Sequence, residues 1–148
     1  MGPIPDGADG AMETPVGDGG AMGVPSGSGG TVGIDIGGTK LLAIRLERDG
    51  GVVAVPLAAA PRTGEELVDE VMASARRLTG GRPDSVGVGV PGLVDGTGRL
   101  VFAPNLAGAA GTRLGEALRA AQPDCRFWMG NDATAACWAE HERGAGAG

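Results

Sequence analysis

The alternation of apolar and polar positions divides the chain into a strand-rich opening and a helix–strand remainder. In residues 31–36, Val32, Ile34 and Ile36 fall on one face, Gly33 and Asp35 on the other. A period of two predicts a strand with one face in a core. Residues 40–47 run apolar as a second strand. Asp49-Gly50-Gly51 is a strong hairpin signal, because such residues tolerate the positive φ that tight hairpin turns need. Val52 to Val55 form a third strand, ended at Pro56 or shortly after, since proline cannot donate to a ladder. The opening reads as an antiparallel meander.

The period then changes. Leu67, Val71, Ala75 and Leu78 recur at helical spacing, with Glu65, Glu66, Asp69, Glu70, Arg76 and Arg77 turned away, as in a helix that buries one stripe. Thr63 and Glu66 have capping-box spacing. Acids in the first turns and arginines in the last suit the helix dipole, so the charges read as a solvated face. Gly80-Gly81 and Pro83 end the helix. Residues 85–90 predict a buried strand with its glycines on one face, stopped at Pro91-Gly92, and residues 93–96 begin a loop or hairpin. Residues 112–121 suit a helix with Leu114 and Leu118 inward; 126–129 suit a strand and 133–143 a last helix. Strand–helix–strand order implies a parallel crossover, and the fold class is α/β, a mixed sheet with flanking helices. Ligands of open α/β sheets bind outside the carboxyl ends of strands. Gly37-Gly38, Pro91-Gly92 and Asn131-Asp132 all stand at such ends.

Composition narrows the picture. Ten of the 30 glycines lie in residues 1–30, with four prolines and no lysine or arginine. Such a segment buries too little to offset its ordering entropy and is expected to be a disordered tail, leaving residues 31–148 as one domain. Two imperfect copies of a ten-residue unit, from Gly10-Ala11-Met12 and Gly20-Ala21-Met22, read as low-complexity slippage. Four tail acids supply most of the net charge of −6, and the remaining residues hold 14 acids against 12 bases. That balance argues against a nucleic-acid partner. No signal peptide and no membrane span is read here. Cys125 and Cys137 lack metal-ligand spacing and read as buried small hydrophobes, Cys125 in a strand and Cys137 in a helix. A reducing, cytoplasmic setting is the expectation.

The candidate chemistry begins at Gly33-Ile34-Asp35-Ile36-Gly37-Gly38-Thr39-Lys40. Gly37 and Gly38 allow positive φ and close approach to a ligand, and successive N–H groups in such a turn can form an anion nest. Thr39 adds a hydroxyl. Lys40 is the only lysine among 12 basic residues, and lysine is a usual phosphate partner. Asp35 faces the same mouth, where a carboxylate can hold Mg²⁺ directly or through water. The stretch is neither a Walker A loop nor G-x-G-x-x-G, and taken alone it reads equally as a glycine-rich hairpin. Asp132, at a strand end and helix start, is the candidate to orient a hydroxyl and accept its proton. The plainer readings are that Asn131 or Asp132 caps the helix, that Asn105 is a turn residue, and that Gly92 after Pro91 only makes a turn.

Taken in order, residues 33–40, 87–95, Pro104-Asn105-Leu106, Asn131-Asp132-Ala133 and Gly144-Ala145-Gly146 resemble the N-terminal half of the ROK family (repressors, open reading frames and kinases), which includes bacterial glucokinases. The resemblance covers roughly residues 31–148. It implies an actin-like, ribonuclease-H-like ATPase fold, of which this chain would be the N-terminal lobe, with Mg-ATP and a hexose held between two lobes. It assigns Asp35 and Gly37, Gly38, Thr39 and Lys40 to the first phosphate loop. Asn105, Asn131 and Gly92 become substrate-binding residues, and Asp132 the base for the attacking hydroxyl. No residue is assigned as a metal ligand beyond the Mg²⁺ contact of Asp35, and the family's zinc motif would lie in the absent half. The sequence stops at Gly148, where a second lobe would start, so the polypeptide is expected to be inactive alone, with any oligomer contacts in that half. His141 lacks the family's zinc context and reads as a surface helix residue. A tryptophan frequent after Pro-Asn-Leu in the family is missing near Ala109, so glucose is only the default sugar. The alternatives are a repressor of the same family, for which residues 1–30 lack a basic helix-turn-helix, and a non-enzymatic half-domain that binds a sugar or a partner.

Overall fold

The period-two opening becomes three antiparallel strands. In the computed structural model, which describes residues 29–47 and 49–146, β1 (Thr31–Ile36) pairs with β2 (Lys40–Leu46), and β2 with β3 (Val52–Ala59). The expected tail lies, through residue 28, outside the described residues. β3 does not end at Pro56; it runs on to Ala59. Two features accommodate the proline: β3 is an edge strand, and the β2–β3 register shifts between Leu41 and Ala43. An edge position beside a bulge is where a strand tolerates a residue with no N–H.

The capping box predicted for the first helix is present. α1 (Gly64–Thr79) starts at Thr63, whose hydroxyl accepts from the Glu66 N–H while the Glu66 carboxylate accepts from the Thr63 N–H. It ends at Gly80, whose φ of 67° is the left-handed conformation that favours glycine at a helix C-terminus. The chain then enters β4 (Ser85–Val90), parallel to β1. A short hairpin follows, β5 (Leu93–Val94) with β6 (Leu100–Phe102). A 3₁₀ segment at Pro104–Ala109 leads to α2 (Leu114–Ala121). β7 (Arg126–Asn131) lies parallel to β4, and α3 (Asp132–Arg143) follows it directly. The sheet order is β3-β2-β1-β4-β7.

The core occupies one face of that sheet. Val32, Ile34 and Ile36 of β1, Leu41 and Ala43 of β2, and Val86, Val88 and Val90 of β4 are buried with Leu67, Val71, Ala75 and Leu78 of α1 and Leu114 and Leu118 of α2. Arg45 is buried on the same face, where its guanidinium donates to the Leu78 carbonyl at 3.0 Å and pairs with Glu47. That contact satisfies one of the carbonyls left open at the end of α1.

The opposite face is different. Gly33, Asp35, Ile44, Gly87, Gly89 and Trp128 face it, and α3 is the helix that lies over it, against β4 and β7. No residue of α3 is buried. Cys137 is therefore exposed, contrary to its reading as a buried hydrophobe; Cys125 is buried as expected, but in the bend before β7 rather than within a strand.

Candidate functional site

The turn after β1 is closed by a 2.8 Å hydrogen bond from the Gly37 N–H to the Lys40 carbonyl. Neither Gly37 nor Gly38 has positive φ, so the expectation of a left-handed turn is corrected. Crowding explains these glycines better. A Cβ on Gly37 would stand 3.1 Å from the Lys40 carbonyl oxygen, and one on Gly38 would stand 3.0 Å from the Asn105 Cβ. The glycine turn thus abuts the 3₁₀ segment that carries Asn105. Gly38, Thr39, Lys40 and Asn105 are all exposed.

Asp35 and Asp132 come together from opposite ends of the sequence because β4 sits between β1 and β7. Both line a groove of about 630 Å³ between the open sheet face and α3. Gly89 is the spacer: a Cβ there would lie 3.5 Å from the Asp132 Cα and 3.6 Å from an Asp35 carboxylate oxygen. Any larger side chain would fill the gap. The two carboxylates feel each other. Loss of hydration, and after it the charge of Asp132, raise the Asp35 pKa above its ordinary 3.8. Asp132 takes the first position of α3, and one of its carboxylate oxygens accepts from the Ala133 N–H at 2.8 Å.

Asn131 is the N-cap of α3, as the plainer reading had it. Its Oδ1 accepts from the Thr134 N–H at 3.0 Å and the Thr134 hydroxyl at 3.3 Å. Its Nδ2 donates to the Gly92 carbonyl at 3.1 Å. Gly92 is fixed on its other side too: a Cβ there would lie 2.2 Å from the Phe102 carbonyl oxygen. Asp35 and Asp132 therefore meet at the groove, Asn131 and Gly92 meet behind it, and Asn105 meets the glycine turn. His141 is exposed on α3, its ring 6.2 Å from that of Trp138. Among the described residues no group of three His, Cys, Asp or Glu could hold a metal, and no helix is long and apolar enough to cross a membrane.

Sequence reasoning did not identify Gly89 as the spacer between the acids, nor Thr134 as the partner of Asn131. The signal for Gly89 was present in the alternate glycines of 85–90; that for Thr134 is the three-residue spacing of a cap to its N–H partner. The alanines of the groove wall, Ala135, Ala136 and Ala139, carried no signal beyond low bulk.

Comparison with known proteins gives this geometry a setting. The ROK family model matches residues 31–148. The glucokinase of Streptomyces coelicolor is 33% identical over 116 residues, which cover 77% of this chain and 36% of that protein. A ROK family glucokinase from Streptomyces griseus, solved in complex with glucose and AMPPNP, aligns with a TM-score of 0.68 at 33% identity, over 78% of this chain and 37% of that one. A ROK family transcriptional regulator shares the fold, with a TM-score of 0.65 at 18% identity over 78% of this chain and 31% of that one. The chain spans a little over a third of the length of the glucokinases it matches. Its mixed sheet is that of the ROK sugar kinases, which have the actin-like ATPase fold. A family match that begins with the first core strand, together with a relative at one-third identity, settles the lineage: the chain belongs to the ROK family.

Proposed function

We propose that the chain supplies the sugar-binding and proton-accepting side of an ATP-dependent hexose kinase, with glucose the first candidate sugar. The observation that carries this reading is the meeting of Asp35 and Asp132 across Gly89, at the carboxyl ends of β1 and β7. Asp132 is the base: its carboxylate receives the proton of the sugar hydroxyl as that oxygen bonds to the terminal phosphorus of ATP and the bond to ADP breaks. Asn105 is exposed and beside the glycine turn, and hydrogen-bonds sugar hydroxyls. Thr39 and Lys40 meet the phosphates. Asp35 fits a Mg²⁺ ion, which binds through one or two carboxylates plus substrate phosphates, and the ion supplies charge neutralisation. The chemistry then needs mainly positioning. The S. griseus glucokinase, solved in complex with glucose and AMPPNP, supports the reading, as does the close approach of the Gly37-Gly38-Thr39-Lys40 turn to Asn105. A cytoplasmic setting goes with it.

Because the chain covers a little over a third of those relatives, a polypeptide of these 148 residues is expected not to turn over alone. The test has two stages. ADP release is measured with glucose, N-acetylglucosamine, mannose and fructose, each with Mg-ATP. Any turnover overturns the expectation of inactivity, and must vanish in Asp132→Asn if the base is assigned correctly. Without turnover, amide NMR shifts on adding each sugar or Mg-ATP decide. Perturbation at 35–40, 105 and 132–134 supports the reading; no perturbation by any sugar or nucleotide sinks it for this polypeptide.

A further inference from the structure

The 3₁₀ segment that carries Asn105 is seated from two sides by contacts that a side chain would disturb. Ala103, Leu106 and Ala109 are buried, which leaves Asn105 and Gly108 on the outside. On one side stands Gly38: a Cβ there would lie 3.0 Å from the Asn105 Cβ. On the other, a Cβ on Gly108 would overlap the Arg62 carbonyl oxygen and would lie 4.0 Å from the Thr63 Cα. Gly108 has no positive φ, so contact rather than backbone conformation bars a side chain there. A third contact holds the far end of the segment, where a Cβ on Gly64 would overlap the Thr112 hydroxyl. Together the contacts close a circuit. The Ala60 N–H donates to the Thr39 carbonyl at 3.0 Å. From the glycine turn the path runs through Ala60 to Arg62, across to Gly108, along the segment to Asn105, and back to Gly38.

We propose that Gly108 is a positioning residue: by leaving room for the Arg62 carbonyl it seats the 3₁₀ segment on the start of α1, and so holds Asn105 against the glycine turn. The seating follows from the contacts above; that the asparagine it places meets a sugar rests on the kinase reading. The base of the seat is firm. The Glu66 carboxylate takes the N–H groups of both Arg62 and Thr63, at 2.8 and 3.2 Å, as part of the capping box. A methyl group at residue 108 would therefore meet fixed backbone, which cannot swing aside as the end of a side chain does. The segment has to move instead. It bends at Leu106 (φ −132°, ψ 47°), between Asn105 and Gly108, so a displacement at Gly108 changes the direction in which Asn105 leaves the bend.

The test begins on the 148-residue chain without ligand, by amide NMR. Gly108→Ala is compared with Gly81→Ala, where a Cβ would meet nothing within 4 Å. Gly108→Ala should shift the amides of residues 105 and 106 and of Gly38 and Thr39; Gly81→Ala should shift none of them. Gly38→Ala pushes more mildly from the other side and should shift the Asn105 and Gly108 amides, so it decides the seating if Gly108→Ala does not fold. Changes confined to the immediate neighbours of each substitution overturn the proposal. Glucose is then added. Gly108→Ala should raise its dissociation constant about tenfold, the scale of one lost hydrogen bond. In any form that turns over, KM should rise alike with kcat within about twofold. Asn105→Ala should do the same, and the double variant should be no worse than either alone, because both act through one side chain. Losses that multiply in the double variant overturn the proposal, as does an unchanged affinity in Gly108→Ala where Asn105→Ala loses it. If the unsubstituted chain binds no sugar, the kinase reading falls for this polypeptide, and the ligand-free shifts still decide the seating.

Discussion

The two faces of the five-stranded sheet are made by the same strands and serve opposite ends. β4 shows it most plainly. Val86, Val88 and Val90 are buried against the helices of one side, while Ser85, Gly87 and Gly89 alternate with them on the other. On the first face α1 and α2 close a continuous apolar core, each buried branched side chain worth roughly 1.5–3 kcal/mol. The second face has a glycine floor, exposed Leu42, Leu46, Val52 and Trp128 on the strands around it, and a helix with nothing buried. The parallel part of a sheet, here β1, β4 and β7, is usually covered on both faces. The difference teaches that bulk alternates within a strand for two reasons: large residues make the fold, and their absence makes room for Asp35 and Asp132.

That division is testable, and its largest consequence lies on the open face. In any form of the protein that phosphorylates a hexose, Asp132→Asn should lower turnover about 10²–10⁴-fold, the usual share of a positioned base. Stability in a urea melt should move by no more than roughly 0.5 kcal/mol, because Asp132 supports no core contact and its two roles in the fold, accepting the Ala133 N–H and repelling Asp35, act in opposite directions. A variant that unfolds instead would show that the open face carries stability after all.

The closed face should respond in the opposite way. Leu118→Ala, at a fully buried site, should cost about 2–5 kcal/mol in a urea melt, whereas Leu46→Ser on the open face should stay within roughly 0.5 kcal/mol. Equal losses would mean that the second face is covered in solution, for which concentration-dependent sedimentation is the direct check. Smaller again is the cap of α1. Thr63→Ala removes the acceptor of the Glu66 N–H and should cost about 1 kcal/mol.

The closed face was far more legible in the sequence than the open one, for a physical reason. Its signals are local. The period of two in β1, the stripe Leu67, Val71, Ala75 and Leu78, and the Thr63–Glu66 box each lie within one element, and each appears in the structure as written. The open face depends on which strands become neighbours. Nothing near Asp35 in sequence says that β4 will bring Asp132 opposite it, or that Gly89 will stand between them. The same holds for the Gly92 partner of Asn131 and for the exposure of Cys137, which reflects the cover of α3 and not its composition. Pro56 marked the end of β3 only loosely, at Ala59 shortly after it, for a third reason. A proline argues against a strand only where every N–H is needed, and an edge with a shifted register does not need that one. At Gly37 and Gly38 the residue type was read correctly as special, but the cause was crowding rather than positive φ.

The smallest predicted effect is also the most direct probe of the open face. Burial first, and the Asp132 charge second, raise the Asp35 pKa. A carboxylate whose folded pKa lies above its unfolded value favours the fold when protonated. Its contribution is fully present below the unfolded value, about 3.8, and is lost as pH rises through the folded pKa. Asp95 runs the other way. Hydrogen bonds from the Thr97 hydroxyl and from the Arg99 and Thr97 N–H groups lower its pKa, so its contribution is present above the unfolded value and is lost as pH falls through the folded one. Carboxylate-detected NMR titration separates the two. Asp132→Asn should bring the Asp35 pKa down but not back to 3.8, since burial remains, and should leave Asp95 unmoved. An Asp35 titration indifferent to Asp132→Asn would mean that the two carboxylates do not face each other across Gly89, and the open face would lose the pair of groups that distinguishes it from an uncovered surface.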